Sequence, residues 1–212
     1  MDVNQIIRSY SKQPITHQLL MSLFKDYQRP NDKIHRLLNE GTLQAIKKKL
    51  YIAGPALHAG KPEPILLANH ILGPSYVSTD TALAYYGLIP ERVFEISSMT
   101  TKASRDFSTP MGLFTYTKLP LPYYSFGIKQ EKVSDDQYAM MASREKALFD
   151  KVVTTPGLIL RSKKSIADYL FEDLRMDEEN LKGLDTNAMK LWLPDSPKKN
   201  TLLLMINMLQ TL

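Results

Sequence analysis

Basic and amide side chains that could contact DNA are concentrated between residues 29 and 49. Arg36 can form paired hydrogen bonds with a guanine edge, and Asn31 can do so with adenine. Three adjacent lysines at 47–49 place positive charge where it suits a phosphate backbone. The candidate DNA-binding residues are Arg29, Asn31, Lys33, His35, Arg36, Lys47, Lys48 and Lys49.

Residue types that carry catalysis or bind metals lack the spacing that such chemistry needs. The chain has no cysteine and no glycine pattern of a phosphate-binding loop. Glu145 and Asp150 are five positions apart, so they do not share one face of a helix well. The plainer interpretation is that both belong to a capped helix that is exposed to solvent. We therefore predict no catalytic residue, no metal and no cofactor. The four histidines are too scattered to suggest ligands: His17, His35, His58 and His70.

The candidate DNA-binding side chains need a helix followed by a hairpin to position them. Ile34, Leu37 and Leu38 follow helical spacing over about 30–40, and Gly41 suits the C-terminal cap. Short apolar runs at 43–46 and 50–52 predict two strands around the lysines. The helix would enter the major groove and the hairpin would reach phosphate, as in a winged helix-turn-helix.

Two further helices are predicted before this unit, at about 2–10 and 17–25, with Thr16 as the N-cap of the second. Three helices and a hairpin in so short a segment indicate a winged-helix domain over residues 1–58. Its predicted core is Ile6, Ile7, Leu20, Leu23, Phe24, Ile34, Leu37, Leu38, Leu43, Leu50 and Tyr51.

The net charge is confined to the N-terminal quarter of the chain. Residues 1–61 hold ten Lys and Arg against four Asp and Glu, a net of +6, whereas the whole chain carries only +5. This asymmetry favours a module that binds a polyanion, joined to a neutral one.

The rest of the chain predicts an α+β domain over 62–212, after a linker rich in Gly and Pro. A short connecting helix at 65–72 would lead into a sheet-rich part (74–142) with a small, mostly antiparallel sheet, and a helical part (143–212) would follow. Ser143, Asp177, Asp185 and Ser196 lie at cap-like positions of the later helices. Strands are predicted at Val93–Ser97, Leu113–Lys118, Tyr123–Lys129 and Tyr138–Met141.

Three blocks resemble one known family. The segments are IHRLLNEGTLQAIKKKLYIAG (34–54), GPSYVSTDTALAYYGLIPERVFEISSM (73–99) and SREKALFDKV (143–152). In this order and spacing they are similar to the AbiEi-type antitoxins of bacterial type IV (abortive infection) toxin–antitoxin systems. The family often has Gly where this chain has Lys49. If that position needs positive φ, Lys49 costs about 1 kcal/mol relative to Gly.

The resemblance implies an antitoxin that also represses its own operon. Its winged helix would bind inverted repeats in double-stranded operator DNA, where two copies could form a homodimer. Its second domain would antagonise a toxin of the nucleotidyltransferase class without a stable complex, which makes direct contact doubtful. The expected antitoxin surface is Tyr76, Ser78, Asp80, Tyr85 and Tyr86.

Two other functions stay open at this point. One is a winged-helix regulator without a toxin partner, whose second domain senses a ligand or dimerises. The other is an enzyme built around Asp80, Glu145 and Asp150. No apolar run reaches the ~18 residues that span a bilayer, and no signal peptide is recognisable, so we expect a cytoplasmic protein without a membrane partner.

Overall fold

The structure, a computed structural model, describes residues 2–212, which form ten α-helices and two β-sheets. The predicted α+β class is confirmed. No helix in the described part is both long and apolar enough to cross a membrane.

The N-terminal elements surround a three-stranded sheet with the strand order β1-β3-β2. β2 and β3 form an antiparallel hairpin, and Ile15 of β1 lies opposite Tyr51 of β3. The sequence did not predict β1, because two residues are too few to show an alternating pattern. In chain order the elements are α1 (Val3–Ser9), β1 (Ile15–Thr16), α2 (His17–Leu23), α3 (Pro30–Asn39), β2 (Leu43–Lys47) and β3 (Leu50–Ala53).

Local signals set the ends of these helices much as predicted. The Thr16 hydroxyl accepts the Leu19 N–H at 3.1 Å and caps α2. Gly41 ends α3 at φ +70°, and the Thr42 N–H bonds the Leu37 carbonyl at 2.9 Å. This is the Schellman arrangement, in which a left-handed residue follows the last helical turn.

A small core holds the N-terminal elements together. Most predicted core residues are buried, whereas Ile6, Leu23, Leu38 and Tyr51 are only half-buried. Leu50 is buried too, but it belongs to the larger core described below. The buried residues of the small core are Ile7, Ile15, Leu20, Phe24, Ile34, Leu37, Leu43, Ala53 and Leu57.

A six-stranded mixed sheet, in the order β6-β7-β5-β4-β9-β8, forms the centre of the rest of the chain. Three of its pairings are antiparallel and two, β4 with β9 and β5 with β7, are parallel. Its strands and associated helices are α4 (Pro64–Ile71), β4 (Ser75–Val77), α5 (Thr79–Tyr85), β5 (Ile96–Thr100), β6 (Arg105–Thr109), β7 (Gly112–Lys118), β8 (Ile128–Ser134) and β9 (Gln137–Ala142).

The strand predicted at Tyr123–Lys129 was wrong at its start, the one predicted at Val93–Ser97 lies three residues later, at Ile96–Thr100, and one strand was not predicted. Tyr123–Ser125 is a 3₁₀ turn, and the strand starts only at Ile128. Tyr123 and Tyr124 are buried in the larger core. Aromatic residues are common in strands mainly because they pack in this way, so the same residues in a buried turn resemble a strand. The edge strand β6 was missed, since its mostly exposed residues carry little apolar pattern.

Five helices follow and cover the larger core. Asp177 and Asp185 cap α8 and α9 as predicted. Ser196 does not cap α10; its hydroxyl donates to the Trp192 carbonyl at 2.7 Å, and α10 begins after Lys198. The helices are α6 (Arg144–Thr154), α7 (Lys163–Asp168, continued by a π-helical turn Tyr169–Asp173), α8 (Glu178–Lys182), α9 (Thr186–Trp192) and α10 (Lys199–Leu209).

The β2–β3 hairpin packs into the larger core as well as beside its own helices. Ile46, Leu50 and Ile52 belong to the same buried cluster as Leu67 and Ile71 of α4. The hairpin therefore joins the N-terminal elements to the six-stranded sheet.

Candidate nucleic-acid interface

Helix α3 buries one side and presents polar groups on the other. Ile34 and Leu37 are buried, whereas Asn31, His35 and Arg36 are exposed. Pro30 supplies the first residue of the helix, where its missing N–H costs nothing. The exposed side of α3 is thus available to another molecule.

The two arginines of this segment are held only by weak ion pairs. Arg29 lies 3.7 Å from Asp32, and Arg36 lies 3.4 Å from Glu40. All four side chains are more than half exposed, and such surface pairs contribute about 0–1 kcal/mol. Either guanidinium can therefore leave its carboxylate for a stronger anion at little cost.

Lys33 is separated from two other polar residues of α3, Asn31 and His35. Two positions along a helix turn a side chain by about 200°, so Lys33 and Asn31 lie on opposite flanks. The Lys33 ammonium sits 5.4 Å from the centre of the Tyr27 ring. The structure places Asn31 and His35 on one flank of α3 and Lys33 on the other. Arg36 lies next to Lys33, since residues three positions apart are neighbours on a helix, and the two side chains line the same groove.

The hairpin tip exposes two of its three lysines. Lys48 and Lys49 are exposed, and the Lys49 carbonyl accepts the His17 N–H at 3.0 Å. Lys49 has φ +68°, which is the left-handed conformation that glycine adopts more easily than lysine. The tip is thereby fixed to the start of α2 and presents both ammonium groups to solvent.

Lys47 points instead toward the six-stranded sheet. Its ammonium lies 5.9 Å from the centre of the Phe107 ring on β6. Burial lowers the pKa of Lys47, and the nearby positive charges of Arg105 and Lys102 lower it further. The sequence does not indicate Lys102 and Arg105 as site residues, because only the fold brings them near the hairpin.

The expected antitoxin surface is only partly a surface. Tyr76 and Ser78 are fully buried, so the prediction that they are exposed was wrong. Asp80 is half-buried, Tyr85 is exposed, and Tyr86 is half-buried with its hydroxyl 3.0 Å from Glu131.

Tyr76 and Ser78 are buried because they belong to a closed polar network around Asp150. One carboxylate oxygen of Asp150 accepts the hydroxyls of Tyr76 at 2.9 Å and Ser78 at 2.7 Å. The other accepts the hydroxyl of Tyr123 at 3.0 Å and the ammonium of Lys146 at 2.8 Å. Burial, and then the Asp150 charge, raise the pKa of both tyrosines, while burial lowers the pKa of Lys146.

This network corrects the interpretation of α6 as a capped, solvated helix. Ser143 does cap it, but the side chains of Lys146 and Asp150 are fully buried. The Lys146 ammonium also lies 3.2 Å from the centre of the Tyr123 ring. A buried charge pair without further partners would be costly, and the hydroxyls and ring supply those partners. The four hydrogen bonds to the carboxylate give the network a structural role.

The three carboxylates of the enzyme hypothesis do not meet in one cleft. Asp80 pairs with Lys151 at 2.7 Å and lines two adjoining cavities of about 350 and 290 Å³. Neither Glu145 nor Asp150 contributes to these cavities. Glu145 instead accepts the Ser143 hydroxyl at 2.8 Å and the Asp185 N–H at 3.1 Å.

Within residues 2–212, no group of three or more histidines and carboxylates is placed to hold a metal ion. Compared with protein-family models and with curated proteins, the chain has no match in either.

Proposed function

We propose that residues 1–58 form a winged helix-turn-helix domain that binds double-stranded operator DNA and represses the chain's own operon. The observation that carries this proposal is the order of elements: a strand between the first two helices, then α3, then a hairpin, with the strand order β1-β3-β2. This order suits a helix presented to the major groove beside a hairpin that reaches the backbone.

The proposed contacts divide into reading and positioning groups. Arg36 reads a guanine edge and Asn31 an adenine edge, both from the exposed side of α3. Lys48, Lys49 and Arg29 neutralise phosphates, which sets affinity and orientation without reading sequence. Lys33 lies beside Arg36, on the flank of α3 opposite Asn31, and contributes positive charge.

Replacing the exposed wing lysines tests the domain assignment. In the Lys48→Gln/Lys49→Gln variant we expect weaker binding to every duplex, because two phosphate contacts are lost. The slope of log affinity against log salt should fall by about 0.9 for each contact. Fluorescence anisotropy with a duplex from the promoter upstream of the gene measures both quantities.

The matched control is Lys129→Gln/Lys190→Gln, which removes the same charge from two exposed lysines elsewhere on the chain. Equal salt slopes for the two double variants would exclude the wing from the interface.

Arg36→Gln tests whether α3 reads the base sequence. This variant should lose about 1–3 kcal/mol of binding free energy on the promoter duplex and much less on a scrambled duplex.

We further propose that the chain is an AbiEi-type antitoxin, with residues 62–212 antagonising a nucleotidyltransferase-type toxin. Support comes from the three sequence blocks described above, two of which lie in this part of the chain. The part of the candidate surface that is accessible to another molecule is the exposed Tyr85 with the half-buried Asp80 and Tyr86. Co-expression with the gene downstream should preserve growth with the full chain and not with residues 1–61. Growth arrest in the presence of the full chain would contradict the antitoxin assignment.

A regulator that senses a ligand is the second candidate, and one observation favours it. Two adjoining cavities share three charged side chains, those of Asp80, Glu95 and Lys151. Thr79, which lines one of them, has φ +48°, a strained conformation for a β-branched residue. A metabolic gene downstream, together with promoter binding that responds to that pathway's small molecules, would favour this candidate over the antitoxin.

A further inference from the structure

Three positive side chains meet where the hairpin touches the edge of the six-stranded sheet. Lys47 and Arg105 both approach the Phe107 ring, with the ammonium at 5.9 Å and the guanidinium carbon at 5.0 Å from its centre. Lys102 precedes Arg105 by three positions, and its ammonium donates a hydrogen bond to the Gly73 carbonyl. The charges of Arg105 and Lys102 both act on Lys47, whose pKa is lowered first by burial and then by them. The cluster is formed by Lys47, Lys102 and Arg105, and we call it the edge cluster.

No carboxylate neutralises this cluster. Across residues 2–212 none of its three cations takes part in an ion pair. Asp106 follows Arg105 in β6, but successive strand residues point to opposite faces of the sheet. Gathering like charges without a counter-ion costs free energy, so the cluster destabilises the free protein and an anion would offset that cost.

The position of the edge cluster indicates which anion it meets. Lys47 is next to Lys48 and Lys49, the exposed pair at the hairpin tip. Arg105 and Lys102 are exposed, and β6 is an outer strand of its sheet with one side unpaired. A linear polyanion that lies across the hairpin tip would therefore continue over the edge cluster.

We propose that the DNA-contacting surface extends from the hairpin onto β6 and the loop before it, where Arg105 and Lys102 bind phosphates of the same duplex beyond the wing. This inference rests on the proposed DNA-binding function and gives part of that function to the second domain. Residues 62–212 then contribute directly to DNA affinity, and the duplex length covered by one copy exceeds that of a winged helix alone.

The test compares Lys102→Gln/Arg105→Gln with Lys129→Gln/Lys190→Gln in the full chain. The probe is the promoter duplex, with a scrambled duplex of the same length beside it. We expect the edge variant to bind both duplexes more weakly, with a salt slope lower by about 0.9 per contact, while the control matches the wild type. The thermal midpoint of the edge variant should stay within about 3 °C of the wild-type value or rise, because its repulsion with Lys47 is relieved.

The outcomes separate the two proposals. If the wild type binds neither duplex, the proposed function fails. If the wild type binds and the Lys48→Gln/Lys49→Gln variant shows a lower slope but the edge variant does not, only the extension onto β6 is overturned. Should the edge variant unfold, Lys102→Arg/Arg105→Lys keeps both charges and must retain the wild-type slope. A reduced slope in that folded, charge-conserving variant also overturns the inference.

Discussion

At the scale of single residues, Lys49 combines a charge suited to DNA with a backbone conformation that suits glycine. Its φ of +68° brings its carbonyl to the His17 N–H, so the turn cannot relax without losing that bond. The sequence raised positive φ at this position as a condition, and the structure shows it. The burial of Tyr76 and Ser78 could not be foreseen in this way, because Asp150 is more than seventy positions away.

Replacing Lys49 with glycine should stabilise the protein by about 1 kcal/mol, since glycine adopts positive φ without steric strain. Urea unfolding of the full chain measures this change. Lys48→Gly is the matched control, because Lys48 is exposed, adjacent and not among the residues with positive φ. There glycine should destabilise by roughly 0.5–1 kcal/mol through greater chain entropy. Destabilisation by both substitutions would show that strain at Lys49 is negligible.

At the scale of elements, prediction worked where the signal is local. Helix α3 was placed within one residue at each end, and Thr16 and Ser143 cap α2 and α6 as predicted. Strand β6 was missed because its pairing with β7 leaves most of its side chains exposed. Lys102 and Arg105 were missed as site residues for the same reason. Their role depends on a contact between the hairpin and this sheet edge.

Another contact between distant segments links Glu91, before β5, to Arg175, after the π-helical turn. The hydrogen bond from Arg175 lowers the pKa of Glu91 below its usual value of 4.5. A lowered carboxyl pKa stabilises the folded state above the unfolded pKa, and that stabilisation disappears as the pH falls through the folded pKa. We therefore expect wild type to have a higher melting temperature than Glu91→Gln near pH 6. The difference should shrink as the pH falls below 4.5 and vanish once the carboxyl is protonated in the folded state as well. A difference that persists in acid would mean that lost packing, not charge, explains the variant.

At the scale of the whole molecule, the hairpin belongs to two cores. Leu43 and Ala53 pack with the N-terminal helices, while Ile46, Leu50 and Ile52 pack with the larger core. The boundary predicted between residues 58 and 62 marks a change in composition and charge. It does not separate two sets of contacts, because the hairpin that would reach DNA is supported from both sides.

A fragment of residues 1–60 should consequently be much less stable than the full chain. Exposing Ile46, Leu50 and Ile52 removes about 1.5–3 kcal/mol of burial for each side chain, a large share of a typical domain's stability. Circular dichroism should show little cooperative melting in the fragment. The same fragment with Ile46→Thr and Ile52→Thr, which makes the uncovered face more polar, should be more soluble and no more stable. A cooperative transition of the fragment at the temperature of the intact chain would contradict this expectation.

The contact between Lys47 and Phe107 also affects the order in which the protein is completed during synthesis. Sixty residues separate the two partners, and a ribosome adding about 5–20 residues per second needs roughly 3–12 s to make them. Throughout that interval the hairpin has no sheet edge to rest on. The segment with the strongest positive charge is thus made before the sheet edge that Lys47 contacts.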